Sequence, residues 1–248
     1  MSPNMLQQLY QMVDAAIVGR GVGVDALAAV GGSAAVILQL VVGLFTGLSS
    51  GATVVISHAF GAQDREKLQR AVHTAIAFSI VAGGVITLLG VWLAPDALRW
   101  TRNPAEIMEP ATVYLRLYFL GTIPMLLFNM GAGILRAVGD SKRPLYYLIV
   151  CCLLNVVLDL WFVREMGVPG VALATIIAQL ISAACCMFKL TRMKENFDLS
   201  FKHLKPISSY TKTVIKLGLP SGLTQAIFSS AMIIVQSLTN CFGEQFIA

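Results

Sequence analysis

VGGSAAVILQLVVGLFTGLSSGATVVIS, residues 30–57, contains no charged side chain. As a helix rising 1.5 Å per residue it is long enough to cross the ~30 Å hydrocarbon layer of a membrane. The rest of the chain has the same character: 56% of its 248 residues are hydrophobic, only 12% are charged, and its mean hydropathy is +0.75. A soluble domain carries charge on about a quarter of its residues. The sequence therefore predicts an all-α, polytopic integral membrane protein.

Seven apolar segments follow one another along the chain. They are residues 5–19, 30–57, 72–94, 112–135, 145–163, 169–191 and 213–240. Short connections rich in charged and turn residues separate them, including Pro95 to Pro110, and the connection from Thr191 to Thr211 is longer. The segment 5–19 is not a signal peptide, because it contains Asp14 and lacks a basic region before it. We therefore predict about seven transmembrane helices, the first of them short.

The positive charges favour one side of the membrane. Thirteen Lys and Arg residues fall in or beside the connections on one side and five on the other. Because positively charged connections are retained in the cytoplasm, this asymmetry predicts a multi-pass plasma (inner) membrane protein with its N-terminus inside. It also explains the net charge of +5 without a nucleic-acid partner.

The sequence contains none of the common catalytic or metal-binding motifs. The five cysteines lie in predicted spans or, for Cys241, directly after one, without metal-binding spacing, and the three histidines are scattered. No zinc-protease, serine-hydrolase or nucleotide-binding motif occurs in the sequence. We therefore expect neither an enzyme nor a bound cofactor.

Two acids, Asp14 and Asp159, lie within predicted spans, where an unpaired charge costs roughly 2.5–3.5 kcal/mol on insertion scales. Counted from the outer helix ends they lie about 9 and 7.5 Å deep. Asn155 and Tyr10 each precede one of them by four residues, so they share its helix face, and Thr175 lies about 9 Å deep in the sixth span. The sequence predicts that Asp14, Asn155, Asp159 and Thr175 bind a proton or a hard cation such as Na⁺. Under the alternative, each polar group merely bonds a neighbouring helix.

Two further patterns concern helix packing. Gly43, Gly47 and Gly51 form consecutive GxxxG steps, which predict the close approach of a second helix. Pro124 and Pro220 are expected to bend their helices.

A weak internal repeat divides the chain. Residues 6–20 share Leu, Gln, Ile and Val positions with residues 223–237, six crossings later, so the two copies would run parallel. We predict a six-helix lobe over residues 1–191, a cytoplasmic connection over 192–211, and the first helix of a second lobe over 212–248.

An ordered set of segments carries a family resemblance. LYQMVDAAIVGR (9–20), DALAAVG (25–31), SHAFGAQDREKLQRAV (57–72), GILRAVGDSKRPL (133–145), LLNVVLDLWFV (153–163) and GVPGVALAT (167–175) follow one another along the chain. Together they resemble the multidrug and toxic compound extrusion (MATE) family, and most closely its DinF-like branch. The resemblance implies two six-helix lobes, of which this chain supplies the first and the start of the second. In that branch the cation site matches Asp14, Asn155, Asp159 and Thr175, and Tyr10 and Asn129 match further positions around the cavity.

The resemblance implies a secondary transporter that exports small, amphipathic, often cationic compounds in exchange for H⁺ or Na⁺. The family's first helix starts about ten or more residues earlier, and most of the second lobe is missing here, so we expect that this chain does not transport alone. Two alternatives remain open. A lipid-linked saccharide flippase of the same superfamily would need more intramembrane cations for its anionic headgroup. A non-transporting scaffold would use Asp14 and Asp159 only for folding.

Overall fold

A computed structural model describes residues 17, 19, 23–101, 103–193, 197–199 and 208–239, and within them only helices and connections occur. The helices, in chain order, are α1 (Val24–Gly31), α2 (Ser33–Gly61), α3 (Arg65–Trp100), α4 (Ala105–Leu120), α5 (Thr122–Ala137), α6 (Lys142–Met166), α7 (Val168–Thr191) and α8 (Ser208–Thr239). Helices satisfy their own backbone hydrogen bonds, as a chain in a bilayer must.

The described helices are those of a multi-pass membrane protein. Five of them are long and apolar enough to cross a membrane, and α4 with α5 adds a sixth crossing if that bent pair is counted as one span. The prediction of an all-α polytopic protein is confirmed. The predicted first span, residues 5–19, lies outside the described residues except for Ile17 and Gly19.

The predicted span 112–135 is bent by 48° where α4 meets α5 at Gly121. Pro124, three residues later, has no N–H to donate to the carbonyl of Leu120, so the helical ladder is interrupted there. The hydroxyl of Thr87 on α3 donates to the carbonyl of Phe119, next to the break, at 2.9 Å. The bend expected at Pro124 is therefore present, and a side chain of another helix stabilises it.

The connection predicted from Pro95 to Pro110 is wrong, because α3 continues through Pro95 to Trp100 and α4 begins at Ala105. A proline inside a helix leaves the carbonyl four residues earlier without its donor. Here that carbonyl belongs to Val91, and the Nε of Arg116 on α4 donates to it at 3.2 Å. A side chain thus replaces the missing backbone bond.

The close approach predicted from the glycines of α2 is confirmed, and its partner is α8. A Cβ on Gly47 would lie 2.3 Å from the nitrogen of Gly222, and a Cβ on Gly51 would lie 2.5 Å from the nitrogen of Gly218. Neither position has room for a side chain, because the neighbouring atoms belong to backbone. We call this contact the α2–α8 seam.

The connection between α2 and α3 is capped by an acid. The carboxylate of Asp64 accepts from the backbone N–H of Lys67 at 3.0 Å and pairs with its Nζ at 2.9 Å. The backbone hydrogen bond, with the neighbouring ammonium, lowers the pKa of Asp64 below its ordinary value of 3.8. An N-terminal cap of this kind fixes where α3 begins.

Apolar side chains pack in two clusters, one toward each end of the bundle. One contains Ile56, Val72, Ile134 and Leu190; the other contains Leu38, Leu98, Leu115 and Val171. Asn155 and Asp159 on α6 and Thr175 on α7 lie between these two clusters.

Candidate functional site

A tight antiparallel hairpin of α6 and α7 positions three of the predicted site residues. Gly167 joins the two helices with φ of 62°, a conformation that favours glycine. Asp159 lies eight residues before this turn and Thr175 eight residues after it. Because both helices rise by the same 1.5 Å per residue, the two side chains meet at one level, about 12 Å from the turn. Asn155 lies one helical turn further from Gly167.

The three side chains form a buried cluster. The exposed fraction is 0% for both Asn155 and Asp159 and 6% for Thr175. An amide atom of Asn155 lies 2.8 Å from Oδ2 of Asp159, and the other amide atom lies 3.2 Å from Oγ1 of Thr175. The hydroxyl of Thr175 donates to the carbonyl of Val171 at 3.0 Å. The structure therefore brings Asn155, Asp159 and Thr175 together, and their binding of a proton or a cation stays a prediction.

The two orientations of the Asn155 amide correspond to different charge states of Asp159, and the one with Nδ2 toward Asp159 satisfies both amide atoms. With Nδ2 toward Asp159 the amide donates to an ionised carboxylate, and its oxygen accepts from the backbone N–H of Thr175 at 3.2 Å. In the reverse orientation Nδ2 donates to Oγ1 of Thr175, and the amide oxygen faces Asp159. That oxygen needs a donor, which a protonated carboxyl supplies. The orientation of the amide is thus linked to the proton on Asp159.

A water-sized cavity borders the cluster. It has a volume of about 10 Å³ and is lined by residues of α4, α5 and α7, including Tyr118, Thr175 and Gln179. Among the described residues no hydrogen-bond partner is present for the buried Oε1 of Gln179. Gln179 is a polar residue that the sequence prediction omitted. Its position four residues after Thr175, on the same face of α7, is the signal that would have included it.

Asn129 lies apart from this cluster in its hydrogen bonding. Its Nδ2 donates to the carbonyl of Met125 within α5, and its backbone carbonyl accepts from Oγ of Ser49 on α2 at 3.1 Å. Its assignment to the cavity stays a prediction. Asp14 and Tyr10 lie outside the described residues, so their place at the site also stays a prediction.

The cluster has the chemistry for a proton or a hard cation. Carboxylate, amide and hydroxyl oxygens are the ligands that hard cations prefer. Within the described part of the chain, no three His, Cys, Asp or Glu side chains are grouped as they would be for a transition metal. Binding of Na⁺ would have to draw on Asp159, Asn155 and Thr175 together with further oxygens.

Comparison with known proteins gives consistent results. The MatE family model matches residues 2–161. The chain is 30% identical over 250 residues to the probable multidrug resistance protein YoeA of Bacillus subtilis, covering 97% of this chain and 54% of that protein. It is 29% identical over 180 residues to the DNA damage-inducible protein F of Escherichia coli, covering 71% of this chain and 39% of that protein.

The chain is also similar to a solved structure. The chain resembles an inward-facing structure of a multidrug resistance MATE family transporter with a TM-score of 0.89 and 28% identity, covering 97% of this chain and 55% of that one. The chain spans about half the length of the curated relatives it matches.

Proposed function

The chain belongs to the MatE family, and from that premise we propose that it forms the N-terminal half of a secondary transporter. In this proposal the transporter exports small, amphipathic, cationic drugs or metabolites in exchange for H⁺ or Na⁺, in keeping with the multidrug names of its relatives. We further propose that the chain lies in the plasma (inner) membrane with its N-terminus in the cytoplasm. Export needs a second lobe, because alternating access requires two lobes to move around a site.

The buried Asn155–Asp159–Thr175 cluster is the observation that carries this proposal. A carboxyl group with 0% exposure inside a membrane helix bundle costs free energy that a purely structural residue would avoid. Intramembrane acids therefore most often serve ion or proton pathways. Asp14 and Tyr10, from the predicted span 5–19, would complete the site, and Asn129 would line the cavity.

Protonation provides a mechanism for coupling. A proton on Asp159 turns the carboxyl into a donor toward the amide oxygen of Asn155, whose Nδ2 then donates to Thr175. The hydroxyl of Thr175 donates a hydrogen bond to the carbonyl of Val171. These three hydrogen bonds link Asp159 to α7 through Asn155, so a charge change on α6 alters hydrogen bonds on α7. A ligand that binds two conformers unequally shifts their populations, and the proton is that ligand here.

A binding titration tests the site in the chain itself. Trp161 lies two residues after Asp159, so its fluorescence reports on this part of α6. We expect the purified protein to respond to pH or to Na⁺ and Asp159→Asn to lose the response, while Asp96→Asn, at the end of α3, keeps it. A response to Na⁺ at constant pH would identify the coupling ion. If wild type and Asp159→Asn respond equally, the site does not bind the ion.

An export assay tests the function. We would co-express the chain with the remaining half of the Bacillus subtilis relative in bacteria lacking efflux pumps and measure loss of ethidium, an amphipathic cation. Export that requires both halves and fails in Asp159→Asn supports the proposal. Export that survives Asp14→Asn with Asp159→Asn would contradict the coupling role of the two acids.

A further inference from the structure

We propose that Arg116 and the groove around it bind the phosphate of an anionic phospholipid. The groove has a volume of about 350 Å³ and lies between α3 and α4. Its lining residues are Thr87, Leu88, Val91, Trp92, Arg116 and Leu120. All of them belong to α3 or α4, so the groove is separate from the α2–α8 seam and from the Asn155–Asp159–Thr175 cluster on α6 and α7.

The walls of the groove face a hydrophobic medium. The exposed fractions are 74% for Leu88, 75% for Trp92 and 54% for Leu120. In a membrane protein such exposed apolar side chains contact lipid. Thr87 uses its hydroxyl for the carbonyl of Phe119. Arg116 is thus the cationic group of a groove whose other walls suit acyl chains.

The guanidinium of Arg116 has donors to spare. It carries five N–H groups, of which the one on Nε bonds the carbonyl of Val91. No ion pair of Arg116 with a carboxylate is present in the described part of the chain. At the same end of α3, Arg99 pairs with Asp96 instead. A cation held at an apolar surface without a carboxylate is stabilised by an anion from its surroundings, and the two Nη groups match the oxygens of a phosphate.

The depth of Arg116 fits a lipid phosphate. Counted from Arg70, the last basic residue at the start of α3, Val91 lies 21 residues along the helix, which corresponds to about 30 Å. That distance is the thickness of the hydrocarbon layer, so Val91 and Arg116 lie at its far boundary. Phosphates begin at this boundary, and Trp92 is of the type that concentrates there. In the proposed orientation this is the outer leaflet.

Arg116 also donates a hydrogen bond to the carbonyl of Val91, which stabilises α3. The experiment has to separate this structural role from lipid binding. Arg116→Gln alone would leave the carbonyl of Val91 unpaired and could destabilise α3. Pro95→Ala restores the backbone N–H that this carbonyl lacks. In the Pro95→Ala background, Arg116→Gln therefore removes the cation while the helix keeps its hydrogen bond. Arg99→Gln is the matched control, because it removes a cation at the same end of α3.

The experiment measures quenching of Trp92 by brominated lipids, after Trp100→Phe and Trp161→Phe leave Trp92 as the one tryptophan. The protein is reconstituted in phosphatidylcholine vesicles with increasing phosphatidylglycerol, one or the other brominated. We expect Trp92 to select phosphatidylglycerol about fivefold, as one cation near a membrane surface allows. Pro95→Ala alone and Arg99→Gln keep this preference, and Pro95→Ala with Arg116→Gln loses it.

Three results would overturn the proposal. If the single-tryptophan protein with Arg116 intact shows no preference for phosphatidylglycerol, the groove holds ordinary boundary lipid. A preference that survives Pro95→Ala with Arg116→Gln would assign it to another part of the surface. An equal loss in Arg99→Gln would indicate general attraction to the basic end of the helices instead of a site.

Discussion

A carboxylate that lies fully inside a helix bundle depends on the donors beside it. With the amide nitrogen toward Asp159, Asn155 donates to Oδ2 at 2.8 Å, and the side chains of both residues are completely buried. Asn155→Leu keeps the volume and removes this donor. We expect the free energy of unfolding to fall by about 2 kcal/mol, the usual contribution of a hydrogen bond to a charged group.

Reversible unfolding in mixed micelles measures this loss, with Asn129→Leu as its control. Asn129 donates to a carbonyl of its own helix, so we expect about 1 kcal/mol or less for that change. Equal losses in the two variants would mean that Asn155 acts as an ordinary buried amide.

Asp64 allows a prediction about pH. Its pKa is lowered by the backbone N–H of Lys67, so its ionised form stabilises the start of α3 above the ordinary value of 3.8. This contribution is lost as the pH falls through the lowered pKa. We expect the carboxyl carbon of Asp64 to titrate below 3.8 in carbon-13 NMR. A titration at or above 3.8 would contradict the cap.

For single residues, helix spacing predicted that three described polar side chains lie near one another, but it did not predict their hydrogen-bond partners. Helical rise places Asp159 and Thr175 at one depth and Asn155 one turn further along α6, which is a property of chain position alone. The orientation of the Asn155 amide depends on a proton, and the cavity beside Gln179 depends on how α4, α5 and α7 pack. Neither quantity has a signature in the sequence.

Close helix contact at the α2–α8 seam gives a prediction at the scale of elements. Gly47→Ala places a methyl group against the backbone of Gly222, and the helices must separate to admit it. We expect a loss of about 1–3 kcal/mol, typical of overpacking. Gly84→Ala on α3 is the matched control, because a Cβ there meets nothing within 4 Å.

The same unfolding measurement compares the two glycine variants. Gly84→Ala should leave stability unchanged or raise it by up to about 1 kcal/mol, since alanine restricts the unfolded chain. If Gly47→Ala is as stable as Gly84→Ala, the α2–α8 seam is not tightly packed in the membrane.

The elements show where local sequence signals fail. Apolar length predicted the spans, and GxxxG spacing predicted the seam. Proline gave the correct bend near Pro124 and a wrong connection at Pro95. The difference comes from a side chain far away in sequence: Arg116 supplies the donor that lets α3 continue. A local pattern carries no information about such a donor on another helix.

On the scale of the whole molecule, α8 exposes an apolar surface that lipid or further protein has to cover. Three apolar side chains that follow Gly222 along α8 are each more than 60% exposed: Ile227, Phe228 and Ile234. Apolar side chains around the helix suit either lipid or a second lobe packed beside it. The division into a lobe over 1–191, a connection over 192–211 and a second lobe from 212 stays a prediction, because α8 packs on α2 in either case.

The orientation of the molecule is the last prediction, and α3 offers the test because its two ends are exposed. In a variant with all five cysteines replaced by alanine, Ala62→Cys places a thiol before the start of α3 and Glu106→Cys places one beyond its end. Both positions are exposed, so folding does not hide either of them. The thirteen basic residues on one side predict that Ala62 faces the cytoplasm. In intact cells a membrane-impermeant maleimide should therefore label Glu106→Cys, and it should label Ala62→Cys only after the membrane is opened. The reverse pattern would turn the molecule over and place the lipid groove of Arg116 in the inner leaflet.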